Sequence, residues 1–228
     1  MSTLAEVLVC CPHVLLDFDG PVCAIFGGTT DRAVADQLRA NLPGLPDDVT
    51  GSSDPFDVLR HAATLGPAVL AEVAHEFTQL ELQAVATATP TPGTTEAIAA
   101  LRAAGHTITI VSNNSTAAVE AYLRSHDLTA LIDCISARSP APDLLKPSPH
   151  LLDQAIRNLD AEPSRCVLIG DSTTDITAAH AAGTAVIAYA NKPDKHARLG
   201  SLGPDATIRS MSAITEAVRV ARQTRRLA

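Results

Sequence analysis

Five short apolar runs, each bounded by polar residues, limit the folds that this chain can adopt. They are HVLLDFD (13–19), HTITIVSNN (106–114), LIDCISA (131–137), CVLIGDS (166–172) and TAVIAYA (184–190). Most of them are rich in β-branched and other apolar residues and lack the strict alternation of a half-exposed strand, a pattern typical of strands buried on both faces of a sheet. The sequence therefore predicts five strands of a parallel sheet.

A helical pattern precedes each of the last four runs. These patterns are TTEAIAALRAAG (94–105), TAAVEAYLRSHDL (116–128), PHLLDQAIRNLD (149–160) and TDITAAHAAG (174–183). Two of them end in a glycine, the residue that favours the left-handed position after a helix. Strands that alternate with helices indicate right-handed βαβ units, so we predict an α/β fold with a doubly wound, Rossmann-like parallel sheet.

The interval between the first two runs is too long for one crossover. The first run ends at residue 19 and the second begins at residue 106, whereas a crossover needs only a dozen or so residues. Segments 29–42, 54–65 and 67–88 each show amphipathic helical periodicity. We therefore predict a helical cap at 21–88, inserted into an α/β core formed by 1–20 and 89–228.

Polar residues follow the predicted strands at their carboxyl ends. In chain order these residues are Asp17, Asp19, Ser112, Asn113, Lys146, Asp171 and Asp175. Ligands of open α/β sheets bind at this edge, so the seven side chains are expected to converge. Four carboxylates around one lysine would repel one another unless a cation intervened. Carboxylate oxygens are ligands that suit a hard divalent cation such as Mg²⁺.

Four ordered segments, LLDFDG, IVSN, KPSP and IGDSTTD, resemble the four motifs of the haloacid dehalogenase superfamily. The resemblance covers almost the whole chain, and the helical insertion is similar to the cap of the phosphoglycolate phosphatase and beta-phosphoglucomutase branch. Each segment alone is a weak signal, because a turn after a strand or a helix cap uses the same residue types. Their order along the chain makes the resemblance specific.

The resemblance implies a magnesium-dependent phosphatase that hydrolyses a small-molecule phosphomonoester through an aspartyl-phosphate intermediate. Asp17 would be the nucleophile, and Asp19 would act as the general acid and then the general base. Lys146 would balance the charge of Asp17 and the phosphoryl group. Ser112 and the backbone amide of Asn113 would bind phosphoryl oxygens.

The resemblance also implies the metal ligands. Asp17, the backbone carbonyl of Asp19, and Asp171 would contact Mg²⁺ directly, and Asp175 would more often act through a water or a neighbouring ligand. In dehalogenases of the superfamily the acid at the position of Asp19 is absent, so its presence favours phosphate esters. Phosphonate-cleaving relatives use a cap lysine, and residues 21–88 contain none.

Three other functions remain open at this stage. A sugar-phosphate mutase of the beta-phosphoglucomutase type would use the same two aspartates. A catalytically silent binding module would keep the fold, although the complete set of polar residues argues against it. A receiver domain of a signalling pair shares the sheet and an acidic site, but it is about half this length, lacks a cap and is phosphorylated on a later strand.

Composition limits the partners. The net charge of -8 and scattered basic residues argue against nucleic acid, which requires a clustered basic face. The basic residues of the last helical pattern, Arg219, Arg222, Arg225 and Arg226, are interpreted as a solvated face. The N-terminus lacks the features of a signal peptide, and no run is long enough for a membrane span. We expect a cytoplasmic monomer or homodimer that binds a small phosphate ester and no membrane.

Overall fold

The computed structural model describes residues 3–40 and 42–227. Its strands, in chain order, are β1 (His13–Leu16), β2 (Cys23–Ala24), β3 (Thr89–Pro90), β4 (Thr107–Val111), β5 (Cys134–Ser136), β6 (Cys166–Gly170), β7 (Ala185–Tyr189) and β8 (Ala206–Ile208). Its helices are α1 (Leu4–Cys10), α2 (Asp31–Arg39), α3 (Asp47–Gly51), α4 (Pro55–Thr64), α5 (Pro67–Val85), α6 (Thr94–Ala103), α7 (Thr116–Ser125), α8 (His150–Asn158), α9 (Thr173–Ala182), α10 (Pro193–Gly200) and α11 (Ser212–Leu227).

Six of these strands form one parallel sheet in the order β5-β4-β1-β6-β7-β8. The chain order reverses at β1, which lies between β4 and β6, so the crevice that binds ligands in open α/β sheets is at the end of β1. Leu16 pairs with Ile110 on one side and with Ile169 on the other. The residues that follow these three strands therefore emerge at the same level.

The sheet is buried on both faces, as the apolar runs predict. Along β1, Val14 and Leu16 belong to one hydrophobic cluster, which includes residues of α6, α7 and α11. Leu15 points to the opposite face and belongs to a second cluster with residues of α8 and α9. The predicted α/β fold with a doubly wound parallel sheet is confirmed.

Helices α2 to α5 lie in the interval for which a cap was predicted. Residues of α2, α4 and α5 share a third hydrophobic cluster, with Phe77 fully buried in it. The segment that enters this helical region and the segment that leaves it lie next to each other, because β2 pairs with β3 in an antiparallel arrangement. The hydroxyl of Thr94 also donates a hydrogen bond to the carbonyl of Pro21. The domain boundaries at residues 21 and 88 stay a prediction.

Several elements were not expected from the sequence, including the short strands β2 and β3 and helix α3. Strand β8 extends the sheet beyond β7, and helix α1 precedes β1. The segment after β7 forms helix α10, with Lys192 as its N-cap residue and Lys195 inside it. No helix within the described part of the chain is both long and apolar enough to cross a membrane.

Candidate active site

The carboxyl ends of β1, β4 and β6 border a cavity of about 320 Å³. Six of the seven residues singled out in the sequence line it, namely Asp17, Asp19, Ser112, Asn113, Lys146 and Asp171. The seventh, Asp175, is fully buried next to them. The structure thus brings the predicted residues together, and their chemical roles stay predictions.

Lys146 is the central cation of this group. Its ammonium group donates three hydrogen bonds, at 2.7 Å to Asp17 Oδ1, 2.6 Å to Asp175 Oδ1 and 3.1 Å to the carbonyl oxygen of Val111. Burial alone would lower the pKa of Lys146, but the two carboxylates raise it above its ordinary value. With all three donors used, Lys146 is a fixed positive charge at the end of β1 and β4.

Asn113 positions the backbone of Lys146. Its side-chain oxygen accepts a hydrogen bond from the Lys146 amide at 2.8 Å, and its side-chain nitrogen donates one to the Lys146 carbonyl at 3.1 Å. The sequence assigned only the backbone amide of Asn113 to the site. This reciprocal pair explains how a residue far along the chain is held against the end of β4.

Asp17 lies at the end of β1 and is 7% exposed. Its Oδ1 accepts hydrogen bonds from Lys146 and, at 2.8 Å, from the amide of Phe18. Burial raises the pKa of Asp17 well above its usual range, and the nearby Asp175 carboxylate adds to this, while Lys146 opposes it. A second cation beside Asp17 would therefore favour its ionised form.

Asp175 is held on both carboxylate oxygens. Oδ1 accepts the bond from Lys146, and Oδ2 accepts bonds from the Asp171 amide at 3.1 Å and from the Ser172 amide at 3.0 Å. Burial acts to raise the pKa of Asp175, but the Lys146 ammonium and the Ser172 hydrogen bonds outweigh it and lower the pKa. Asp175 is therefore an ionised anchor for Lys146 and for the turn after β6.

The acidic group matches the ligands that a hard divalent cation requires. Single oxygens of Asp17, Asp171 and Asp175 lie within 4.8 Å of one another, and Mg²⁺ takes oxygen ligands at about 2.1 Å. Asp175 already uses both oxygens and has no exposed surface, so Asp17 and Asp171 are the better direct ligands. Gly20, with φ of +103°, leaves room for Asp171, because a Cβ there would lie 2.4 Å from Asp171 Cγ.

Asp19 faces the cavity from the turn that follows β1. Its Oδ1 accepts a hydrogen bond from the amide of Ile25 at 3.0 Å. Burial raises the pKa of Asp19 to about 6, against the opposing effect of the Ile25 hydrogen bond, and the Asp171 carboxylate contributes to the increase. A carboxyl group with this pKa can both give and take a proton near neutral pH.

Lys195 of α10 is a second lysine beside the acidic residues. In the structure its ammonium group forms an ion pair with Asp171 Oδ2. This second lysine compensates Asp171, one of the two carboxylates of the site that Lys146 does not touch. No local pattern in the sequence indicates the contact, because it depends on how α10 packs after β7.

The helical insertion supplies the other side of the cavity. Its lining residues are Asp31, Ser53, Asp54, Phe56 and Arg60. Of the basic residues of the insertion, Arg60 lines the cavity, whereas Arg39 does not. The guanidinium of Arg39 is buried and bonds to the carbonyl oxygens of Val49 and Ser52, so it stabilises the fold of the insertion.

The family model for haloacid dehalogenase-like hydrolases matches residues 13–183. The match begins at β1 and ends just after α9, so it includes every element that carries the residues described above except α10, which carries Lys195. The chain belongs to the haloacid dehalogenase-like hydrolase family. The resemblance drawn from the four segments, and the prediction of an enzyme of this hydrolase class, are confirmed.

Similar proteins of known sequence include phosphatases. The chain is 30% identical over 232 residues to a phosphoglycolate phosphatase of Cupriavidus necator, with 96% of this chain and 98% of the relative aligned. It is 34% identical over 127 residues to a phosphoglycolate phosphatase of Mesorhizobium japonicum, and the match spans 55% of each chain, little more than half of that relative.

A solved structure supports the fold. The crystal structure of a predicted phosphoglycolate phosphatase from Haemophilus somnus matches with a TM-score of 0.67 over 91% of this chain and 97% of that one. At 19% identity this likeness shows a shared fold alone.

Proposed function

We propose that this chain is a magnesium-dependent phosphatase of small phosphomonoesters that uses Asp17 as its nucleophile. The observation that carries the proposal is the buried Lys146–Asp17 pair at the end of β1, which faces a cavity that also contains Asp19. A carboxylate nucleophile, a second carboxyl group with a pKa of about 6 and a fixed cation are the parts that phosphoryl transfer requires. Relatives named as phosphatases support the same reaction class.

The carboxylates of Asp17 and Asp171, with the backbone carbonyl of Asp19, would hold Mg²⁺. When bound, the ion supplies positive charge that neutralises the phosphoryl oxygens and keeps Asp17 ionised. The donor set fits this ion because it consists of oxygens and includes two carboxylates that are not fully enclosed.

In the first chemical step Asp17 attacks the phosphorus atom and an aspartyl phosphate forms. The bond between phosphorus and the ester oxygen breaks, and Asp19 gives its proton to the departing alkoxide, which leaves as an alcohol. Lys146 stays paired with Asp17 and balances the charge on the transferring group. Ser112 and the amide of Asn113 donate hydrogen bonds to the phosphoryl oxygens.

In the second step water hydrolyses the intermediate. Asp19, now ionised, takes a proton from the water as the water oxygen bonds to phosphorus, and the bond to Asp17 breaks. Inorganic phosphate leaves, Asp17 is again a carboxylate and Asp19 is again protonated. One residue therefore serves as acid and then as base, which is consistent with its pKa of about 6.

The substrate is a small ester. The cavity of about 320 Å³ lies at the low end of the range for small-molecule sites. Phosphoglycolate is one candidate, because two relatives that match this chain are named for it. On the insertion side the leaving group would meet the carboxylates of Asp31 and Asp54 and the guanidinium of Arg60.

Phosphate release from a panel of monoesters tests the proposal. The panel contains phosphoglycolate, sugar phosphates, a nucleoside monophosphate and an amino-alcohol phosphate, each assayed with Mg²⁺ and with a chelator. We expect magnesium-dependent release that Asp17→Asn abolishes and that Asp143→Asn, an exposed site, leaves unchanged. Conversion of a sugar phosphate to its isomer without release of phosphate would instead indicate a mutase. No turnover by folded protein would contradict the proposed activity.

A further inference from the structure

An ion pair buried outside the group of catalytic residues connects the helical insertion to the sheet. Glu81 of α5 has no exposed surface, and Arg138, which follows β5, has a side chain that is 5% exposed. The guanidinium binds both carboxylate oxygens, with distances of 2.6 Å to Oε1 and 3.0 Å to Oε2. It also donates to the hydroxyl of Thr78 at 2.9 Å and lies 4.4 Å from the centre of the Phe77 ring.

Glu81 also binds the loop that follows β4. Its Oε1 accepts a hydrogen bond from the side-chain amide of Asn114 at 3.1 Å, and its Oε2 accepts one from the backbone amide of Ser115 at 3.1 Å. Each carboxylate oxygen thus receives one bond from Arg138 and one from this loop. A carboxylate that only accepts hydrogen bonds is the one group that satisfies all four donors.

The orientation of Asn114 follows from this arrangement. Because its nitrogen faces Glu81, its Oδ1 is directed away and accepts a hydrogen bond from the hydroxyl of Ser112 at 3.1 Å. The backbone amide of Asn114 donates to the same hydroxyl, also at 3.1 Å. The position of the Ser112 oxygen is therefore set, through Asn114, by Glu81. The single hydroxyl proton of Ser112 faces Asn114 Oδ1 here and turns toward a phosphoryl oxygen when one binds, because a hydroxyl proton rotates freely.

A purely stabilising role does not account for the pair. Burying two charges costs about as much as their attraction returns, and well-packed apolar residues often replace such pairs without loss. Directed hydrogen bonds, by contrast, impose one geometry on the loop. The hydrogen bonds of Glu81 thus fix the conformation of the loop that follows β4, which carries Ser112 and Asn113.

We propose that Glu81 is a positioning residue that orders the loop 112–115 for phosphate binding, with Arg138 holding the Glu81 carboxylate in place. The inference rests on the proposed phosphatase function, in which Ser112 and the amide of Asn113 bind the phosphoryl group. Glu81 itself lies outside the cavity and touches no substrate. Glu81 therefore affects the affinity of the site for the phosphoryl group and not its affinity for Mg²⁺.

The test compares Glu81→Gln with Glu72→Gln, an exposed site on the same helix. Whichever way the glutamine amide turns, its N–H groups face an Arg138 donor and a loop donor, so hydrogen bonds on one side are lost. Isothermal titration calorimetry measures the affinity for inorganic phosphate at saturating Mg²⁺ and, in a separate titration, the affinity for Mg²⁺ alone. We expect Glu81→Gln to weaken phosphate binding about tenfold, a typical effect of losing hydrogen bonds to a charged group.

We expect Mg²⁺ affinity to stay within about twofold in the same variant, since no ligand of the ion contacts Glu81, and Glu72→Gln to match the wild type in both titrations. Arg138→Lys, which keeps a cation, should retain more phosphate affinity than Arg138→Met. This pair carries the test if circular dichroism shows Glu81→Gln to be unfolded. Equal losses of phosphate and Mg²⁺ affinity would indicate general loosening and overturn the inference.

Phosphate binding and ester hydrolysis by the wild type show which of the two proposals has failed. If it neither binds phosphate nor hydrolyses any ester, the proposed function and the inference both fail. If it does both, and folded Glu81→Gln or Arg138→Met binds phosphate as tightly as the wild type, the positioning role alone is wrong.

Discussion

At the scale of single residues, one lysine decides the electrostatics of the site. Lys146 is buried and pairs with Asp17 and Asp175 at once. Removing it would leave two buried carboxylates with no compensating charge, the situation in which ion pairs matter most for stability.

We predict that Lys146→Met lowers the free energy of unfolding in metal-free buffer by about 3–5 kcal/mol, the typical cost of breaking a buried ion pair. Urea denaturation measures it, and phosphate release should be lost as well. Lys192→Met, at an exposed position, is the control and should change neither. A Lys146→Met protein as stable as the wild type would contradict the pairing described here.

The pH dependence of the reaction should follow Asp19. Because burial raises its pKa to about 6, the acid form needed for the first step persists up to that pH and is lost above it. For an alkyl phosphate, kcat/KM should therefore decline above about pH 6, the pKa of the free enzyme's acid. For p-nitrophenyl phosphate, whose leaving group needs no proton, the decline should be absent. Identical profiles for the two esters would argue against Asp19 as the acid.

At the scale of elements, the sequence predicted the strands and helices that alternate regularly along the chain. It missed strands and helices that are short or stand outside this alternation. Five strands were recognisable because each fills a run of apolar residues. Strand β8 is as short as β5, but its three residues lie between the charged Asp205 and Arg209 and are not part of a longer apolar run. Helix α1 did carry a signal, since Thr3 and Glu6 form a capping box.

Residues of the site were predictable where they end a strand. Asp17, Ser112 and Asp171 follow apolar runs, and the topology of the sheet brings such ends together. The Glu81–Arg138 pair was missed because it depends on packing between distant segments. The only local signal is that Glu81 lies four residues after the buried Phe77 and is charged on an apolar helix face.

Gly170, the last residue of β6, leaves room for Asp175. A Cβ at this position would lie 2.5 Å from both Cβ and Cγ of Asp175, so we predict that Gly170→Ala displaces this carboxylate and with it Lys146. Unfolding should become easier by about 1–3 kcal/mol, as for other overpacked sites, and kcat should fall. Gly51→Ala is the matched control, because a Cβ there meets nothing within 4 Å. Wild-type stability and kcat for Gly170→Ala would refute this.

At the scale of the whole molecule, a metal ion would stabilise the native state. The site concentrates carboxylates in a chain of net charge -8, and an ion that binds only the folded form adds about 2.7 kcal/mol at a hundred times its Kd. For a chain of this size that corresponds to a rise in Tm of about 5–10 °C. Differential scanning calorimetry with and without Mg²⁺ measures the rise.

Variants of single carboxylates test where the Mg²⁺ ion binds. Asp171→Asn should remove most of the Mg²⁺-dependent rise in Tm, and Asp143→Asn, which is exposed, should keep it. An equal rise in all three proteins would place the ion elsewhere on the surface.

The central claim is that the phosphoryl group is transferred to Asp17. The most direct measurement is to quench the enzyme with acid during turnover of its best ester, reduce it with borohydride, and sequence the peptides by mass spectrometry. Borohydride converts an aspartyl phosphate to homoserine, so the account predicts homoserine at position 17 in the presence of Mg²⁺ and substrate only. Turnover with unmodified Asp17, or homoserine at Asp19 or Asp171 instead, would contradict it.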